Sequence, residues 1–65
     1  IGILLSGANK DGAYGLKKVA ELGGLTIVQD PKECEVKTMT ESALQITKVN
    51  YIMTVDKIIN FLVKL

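Results

Sequence analysis

The sequence predicts an α/β fold in which short buried strands alternate with amphipathic helices. Apolar runs too short for a helix recur along the chain, as around residues 1–5 and 25–28, and such runs are typical of strands covered on both faces of a parallel sheet. The segments between them repeat apolar residues three and four positions apart, which is the spacing of one helix face. Glycine and proline lie at several of the boundaries, where they favour turns.

The first strand is predicted at residues 1–5, and the helix that follows begins near Gly12. The apolar side of this helix is formed by Ala13, Leu16, Val19 and Ala20. Gly23 and Gly24 end the helix, and one of them is expected to adopt the left-handed backbone conformation that caps many helices. A second buried strand is predicted around Ile27, closed by the Asp-Pro pair that follows it.

Residues 30–37 lack hydrophobic periodicity and are predicted to form a loop. The second helix starts at Thr38 or Thr40, and Thr38 with Glu41 three residues later matches a capping box. Its apolar side is formed by Met39, Ala43, Leu44 and Ile46.

The last two elements are a short strand at residues 51–53 and a helix that Thr54 can cap. Asp56 lies in the first turn of this helix, where an acid complements the helix dipole. Its apolar residues repeat at helical spacing: Val55, Ile58, Ile59 and Leu62. The third strand is predicted to be buried, like the first two.

The element order is therefore β-α-β-α-β-α, and helical crossovers of this kind join parallel strands. Three apolar strands leave an exposed sheet edge unless more chain adds to the sheet. The chain also starts inside a strand-like run without an initiator Met. We predict that residues 1–65 are the C-terminal β-α-β-α-β-α portion of a larger domain, built on a doubly wound, mostly parallel, three-layer (αβα) Rossmann-like sheet.

The composition argues against several classes of function. Eight lysines and seven acids give a net charge of +1 and Arg is absent, so nucleic acid is not expected as the main partner. No apolar run is long enough to span a bilayer. A single cysteine, Cys34, fits a cytoplasmic protein. Because His is absent, the chain has no Ser-His or Cys-His pair and no His-based metal site of its own, and no metal or cofactor is predicted.

Residues 6–15 are predicted to contain a short glycine-flanked turn that leads into the first helix, with Asp11 at the junction between the two. Gly7 and Gly12 have the spacing of P-loop glycines, but the next two residues lack the Lys and the Ser or Thr that this motif requires. An anion at the helix N-terminus is one interpretation of the turn. Asp11 is interpreted as a helix N-cap, as a catalytic acid, or as both, because ligands bind at the carboxyl ends of strands in open α/β sheets.

A family resemblance extends over essentially the whole chain. It is carried by the stretches Ser6-Gly7-Ala8-Asn9-Lys10-Asp11-Gly12-Ala13, Gly15-Leu16-Lys17, Gly23-Gly24 and Val28-Gln29-Asp30-Pro31. With these stretches the chain resembles the C-terminal third of the CheB-type chemotaxis protein-glutamate methylesterase. The similarity continues without gaps to the final helix.

The resemblance implies a serine hydrolase with a Ser-His-Asp triad, which demethylates glutamyl methyl esters on the cytoplasmic helices of chemoreceptors and in many members deamidates receptor glutamines. Asp11 matches the triad aspartate, while Ala8, Asn9, Gly12 and Met39 match the active-site rim. The serine and histidine would lie upstream, so the 65-residue chain alone is predicted to be inactive. A receiver domain of the two-component response-regulator type is an implied partner in the same protein.

Two motif loops depart from the family pattern. Ala8 and Asn9 replace Met and Gly in the turn Gly-Met-Gly-x-Asp-Gly, and residues 38–41 keep only Met39 of Gly-Met-Pro-Arg, with Glu41 in place of Arg. These departures motivate a second interpretation, a methylesterase-like domain that binds a receptor or regulator without turnover. A third interpretation is an unrelated α/β module that binds an anion at the start of the first helix.

Overall fold

The computed structural model describes residues 1–5 and 11–65. Strands and helices alternate as β1 at Gly2–Leu4, α1 at Asp11–Glu21, β2 at Thr26–Gln29, α2 at Thr38–Ile46, β3 at Tyr51–Met53 and α3 at Val55–Val63. The predicted β-α-β-α-β-α order is therefore confirmed over the described residues.

Strands β1, β2 and β3 form one parallel sheet, with β2 in the middle. Gly2 pairs with Thr26, and Ile27 pairs with Tyr51. All four residues of β2 are buried, as expected for a strand covered on both faces. Asn50 fixes the start of β2, because its Oδ1 accepts hydrogen bonds from the Thr26 backbone N–H at 3.0 Å and the Thr26 hydroxyl at 3.1 Å.

Helices α1 and α2 pack against each other and against one face of the sheet. The buried residues of this layer form one apolar cluster: Leu4, Ala13, Leu16, Val28 and Ala43. Ala13 and Ala43 are fully buried, and small side chains at such a contact let two helices pack closely. Met39, Ile46 and Val49 pack at the margin of this cluster.

Helix α3 covers the opposite face of the sheet. Successive strand residues point to opposite faces, so Ile27 points away from the cluster that contains Val28. Tyr51 is paired with Ile27, and its ring lies 6.3 Å from the ring of Phe61 on α3. Ile27 is fully buried, and Ile58 of α3 is buried too. The layers are therefore helices, sheet and helix, as the sequence predicted.

The third strand is less buried than predicted. Tyr51 is 47% exposed and Ile52 is 53% exposed, because β3 lies at an edge of the described sheet and is covered less by helices than β2 is. On α3, Ile59 and Leu62 of the predicted apolar side are also exposed. The prediction of a buried third strand is wrong for these residues, since periodicity identifies an apolar side without showing that anything lies against it.

Two predicted helix boundaries are confirmed. Gly23 has a φ of 81°, the left-handed conformation expected after α1, and its N–H donates to the Ala20 carbonyl at 3.0 Å. Thr54 caps α3, because its hydroxyl oxygen accepts a hydrogen bond from the Lys57 backbone N–H at 3.3 Å.

The capping box predicted at Thr38 and Glu41 is wrong. Lys37 occupies the cap position of α2, in a helical backbone conformation and without a side-chain cap hydrogen bond. Thr38 is already the first helical residue, whereas a capping Thr needs an extended backbone. Thr40 does not cap the helix either, because it is fully buried and its hydroxyl donates to the Lys37 carbonyl at 3.0 Å.

The segment predicted as a loop contains a 3₁₀ helix at Pro31–Glu33. The Asp30 carboxylate accepts a hydrogen bond from the Lys32 N–H at 3.0 Å, and Pro has the backbone angle that a first helical residue needs. Cys34 is buried, and its thiol donates to the Asp30 carbonyl at 3.4 Å.

Candidate functional site

The candidate site lies where the three parallel strands end. Helix α1 begins at Asp11 after β1, the 3₁₀ helix begins at Pro31 after β2, and α3 begins at Val55 shortly after β3. We call this side of the sheet the carboxyl edge. It is the side at which ligands bind in open α/β sheets.

Asp11 is the first residue of α1 and is exposed. Asp11 lies in the first turn of the helix, and the residues immediately before it lie outside the described ones, so the N-cap interpretation stays a prediction. The N–H groups of a first turn carry partial positive charge, which stabilises a carboxylate. An ionised carboxylate only accepts hydrogen bonds. Asp11 is therefore suited to accept a hydrogen bond from an imidazole N–H, and its negative charge disfavours an anion at the same helix end.

Gly12 and Met39, two of the predicted rim residues, are in contact. A Cβ atom added to Gly12 would lie 2.5 Å from the Met39 Sδ and 2.9 Å from the Leu4 Cδ1. Both distances are shorter than van der Waals contact, so the thioether lies directly against the Gly12 backbone. The structure therefore joins the end of β1, the first turn of α1 and the first turn of α2 at the carboxyl edge.

Ala8 and Asn9, the other predicted rim residues, lie outside the described residues. Of the predicted site residues, the structure describes Asp11, Gly12 and Met39. Within residues 1–5 and 11–65, no group of three or more His, Cys, Asp or Glu residues is arranged to hold a metal ion.

Glu33 is a residue of the carboxyl edge that the sequence reasoning missed. Its Oε1 accepts hydrogen bonds from the Val55 backbone N–H at 2.6 Å and from the Gln29 Nε2 at 2.9 Å. It therefore joins the end of β2 to the N-terminus of α3. The sequence holds one weak signal for this contact, a Gln and a Glu four residues apart after a strand, and that signal does not point to a partner at residue 55.

We expect Glu33→Ala to lower the free energy of unfolding of the complete protein by about 1 kcal/mol, because the variant removes an acceptor from the N-terminus of α3. Thermal unfolding measures this change. Glu35→Ala is the matched control, since Glu35 is an exposed acid two residues away and its removal changes the net charge equally. Equal stability of the two variants would contradict the proposed role of the Glu33 hydrogen bonds.

Comparison with known proteins identifies the family. The family model described as CheB methylesterase matches residues 1–62, which is nearly the whole chain. The chain belongs to the CheB methylesterase family. The resemblance seen in the glycine-rich turn and the stretches after it is confirmed.

Individual CheB-family relatives align with most or all of this chain. A relative from Leptospira interrogans, named for protein-glutamate methylesterase/protein-glutamine glutaminase activity, is 48% identical over 65 residues, which is 100% of this chain and 34% of the relative. Protein-glutamate methylesterase/protein-glutamine glutaminase 3 of Pseudomonas aeruginosa is 43% identical over 58 residues, or 89% of this chain and 17% of that protein. The Pyrococcus horikoshii protein named for both activities is 33% identical over 64 residues, 98% of this chain and 17% of its own length.

This CheB-family chain thus spans about a third of the length of the Leptospira relative and about a sixth of the other two. No solved structure matches it. Among the described residues, no helix is both long enough and apolar enough to cross a membrane.

Proposed function

We propose that residues 1–65 are the C-terminal segment of the catalytic domain of a protein-glutamate methylesterase, in which Asp11 is the aspartate of a Ser-His-Asp triad. The observation that best supports this proposal is the position of Asp11. It is an exposed carboxylate in the first turn of α1, at the carboxyl edge of a parallel sheet, in a chain of the CheB methylesterase family.

In the proposed reaction, a serine hydroxyl from another part of the protein attacks the carbonyl carbon of a glutamyl methyl ester, and a histidine takes its proton. Methanol leaves, and water then hydrolyses the acyl-enzyme to free the glutamate carboxylate and the serine. Asp11 holds the imidazole in the tautomer that can accept the serine proton, and it stabilises the imidazolium that forms. The same steps on a glutamine amide release ammonia, which agrees with the second activity in the names of the relatives.

The proposed substrates are methylated cytoplasmic helices of chemoreceptors, so the proposed location is the cytoplasm. A receiver domain in the same protein remains part of the proposal. Within the described residues, β1 pairs with β2 alone, and Ile1 and Leu5 beside it are 63% and 48% exposed. We propose that the remainder of the catalytic domain continues the sheet at this edge of β1.

The second candidate function is binding to a receptor or regulator without turnover. The names of the relatives do not favour it; its motivation is Glu41, an exposed acid in the first turn of α2, two residues after Met39. The family pattern has Arg at this position, so the charge is reversed close to the proposed site.

The complete protein, incubated with a methylated chemoreceptor cytoplasmic domain, tests the two candidates together. We expect methanol to be released in proportion to receptor demethylation. The isolated 65-residue chain serves as the control and is expected to release none. Stable receptor binding without methanol release would support the second candidate against the first. If the complete protein neither binds the receptor nor releases methanol, both candidate functions are contradicted.

A further inference from the structure

We infer that Met39 is a positioning residue for ester hydrolysis, because its thioether holds the backbone of Gly12 and thereby the adjacent Asp11. This inference rests on the proposed function. Met39 does not need to touch the substrate to act in this way.

The packing around Gly12 supports this role. The Met39 Sδ and the Leu4 Cδ1 approach Gly12 so closely that no Cβ fits between them, and the Met39 Cγ lies 3.5 Å from the same position. Gly12 is thus clamped between the end of β1 and the first turn of α2. Asp11 itself is exposed, so the packing that fixes its backbone acts through the next residue.

Methionine suits this contact for physical reasons. Its unbranched side chain reaches across the gap between two helices, and its polarisable sulfur packs well on irregular surfaces. Met39 is half-buried and sits at the margin of the apolar cluster. Ala13 of α1 and Ala43 of α2 are fully buried within this cluster, so the two helices share a buried contact layer that does not include Met39. Loss of Met39 should therefore release the first turn of α1 while the helices stay packed.

Ile46 provides a matched control for Met39. Both residues lie on α2, both are half-buried, and both pack at the margin of the same cluster. Ile46 is about two helical turns further along α2, so it lies away from Gly12. A purely structural role would make the two alanine variants equivalent.

The test compares Met39→Ala, Met39→Leu and Ile46→Ala in the complete protein, with kcat and KM for methanol release measured well below each Tm. We expect Met39→Ala to lower kcat by roughly 10-fold to 100-fold with little change in KM, because a displacement of about 1 Å at a catalytic group has an effect of this size. Ile46→Ala should lower Tm similarly but keep kcat within about twofold of wild type, since it leaves the site intact. Met39→Leu should retain most of the activity, because the swap nearly conserves volume.

Gly12→Ala tests the contact between Gly12 and Met39 by changing the glycine instead of the methionine. Alanine is the better helix former, so a fall in kcat in this variant would not come from loss of helix stability. The new methyl group displaces the flexible thioether, and we expect kcat to fall roughly 10-fold or more. The double variant Gly12→Ala/Met39→Ala removes the closer of the two clashes and leaves only the one with the Leu4 Cδ1, so its loss should be smaller than the product of the two single losses.

Two outcomes would overturn the inference: equal kcat values for Met39→Ala and Ile46→Ala, or strictly multiplicative losses in the double variant. Asp11→Asn, assayed alongside, separates this failure from failure of the proposed function. If Asp11→Asn abolishes turnover while Met39→Ala behaves like Ile46→Ala, the triad assignment stands and the positioning role does not. If Asp11→Asn hydrolyses the ester at the wild-type rate, the proposed function itself is contradicted, and with it the basis of this inference.

Discussion

In the complete protein, Asp11→Asn is expected to lower the kcat of methyl ester hydrolysis about 10⁴-fold. This is the loss of kcat seen when a triad aspartate is changed to asparagine in another fold. The asparagine keeps the size of the side chain but loses the negative charge. Its amide also favours the wrong imidazole tautomer, because an amide N–H can donate to the ring nitrogen that should carry the proton. Methanol release under single-turnover conditions measures the effect on chemistry directly.

Asp56→Asn is the matched control for this variant. Asp56 is also an exposed acid in the first turn of a helix that follows a parallel strand, in this case α3 after β3. Both variants weaken the favourable interaction of an acid with a helix N-terminus by a similar amount, about 0.3–1 kcal/mol. We expect Asp56→Asn to retain wild-type kcat. A wild-type kcat in the Asp11→Asn variant would contradict the assignment of Asp11 as the triad aspartate.

Ile27→Ala is expected to have the largest effect on stability, lowering the free energy of unfolding of the complete protein by about 2–5 kcal/mol. Ile27 is fully buried in the central strand, between β1 and β3 and beneath α3. Its truncation removes apolar contacts and leaves a cavity that the neighbouring strands cannot close without breaking their pairing. Denaturant unfolding of the complete protein measures the change, with an unchanged m-value as the sign that stability alone was altered.

Ile27→Val removes one methylene and should lower the same free energy by about 0.5–1.5 kcal/mol. Leu22→Ala is the surface control, because Leu22 is 77% exposed and such changes stay within about 0.5 kcal/mol. If Ile27→Ala were no more destabilising than Leu22→Ala, the placement of β2 at the centre of the sheet would be wrong.

The element order and the central strand could be predicted because local patterns determine them. A four-residue run buried on both faces, a glycine with positive φ after α1 and a capping Thr before α3 each leave a signal within a few residues. The position of Asp11 at the carboxyl edge followed from the same patterns, because a strand, a turn and a helix in succession allow few arrangements.

The features that were missed depend on contacts between distant segments. Glu33 accepts a hydrogen bond from Val55, and nothing within the surrounding sequence marks that partner. The burial of Tyr51 and Ile52 was overestimated because exposure depends on what packs on an edge strand, which periodicity does not reveal. Thr38 matched a capping box, and α2 does start at Thr38, but Lys37 occupies the cap position without a side-chain hydrogen bond.

The register of the sheet has a consequence for how the protein folds. Gly2 pairs with Thr26 and Ile27 with Tyr51, so each strand meets the strand that comes next in the chain, and both pairs join residues 24 positions apart. Contacts of such moderate sequence separation favour folding faster than that of all-β proteins, and each strand-helix unit can add to the one made before it. Residue 39 is synthesised well after residue 11. If Met39 holds Gly12 as inferred, Asp11 reaches its final position only when α2 packs against α1.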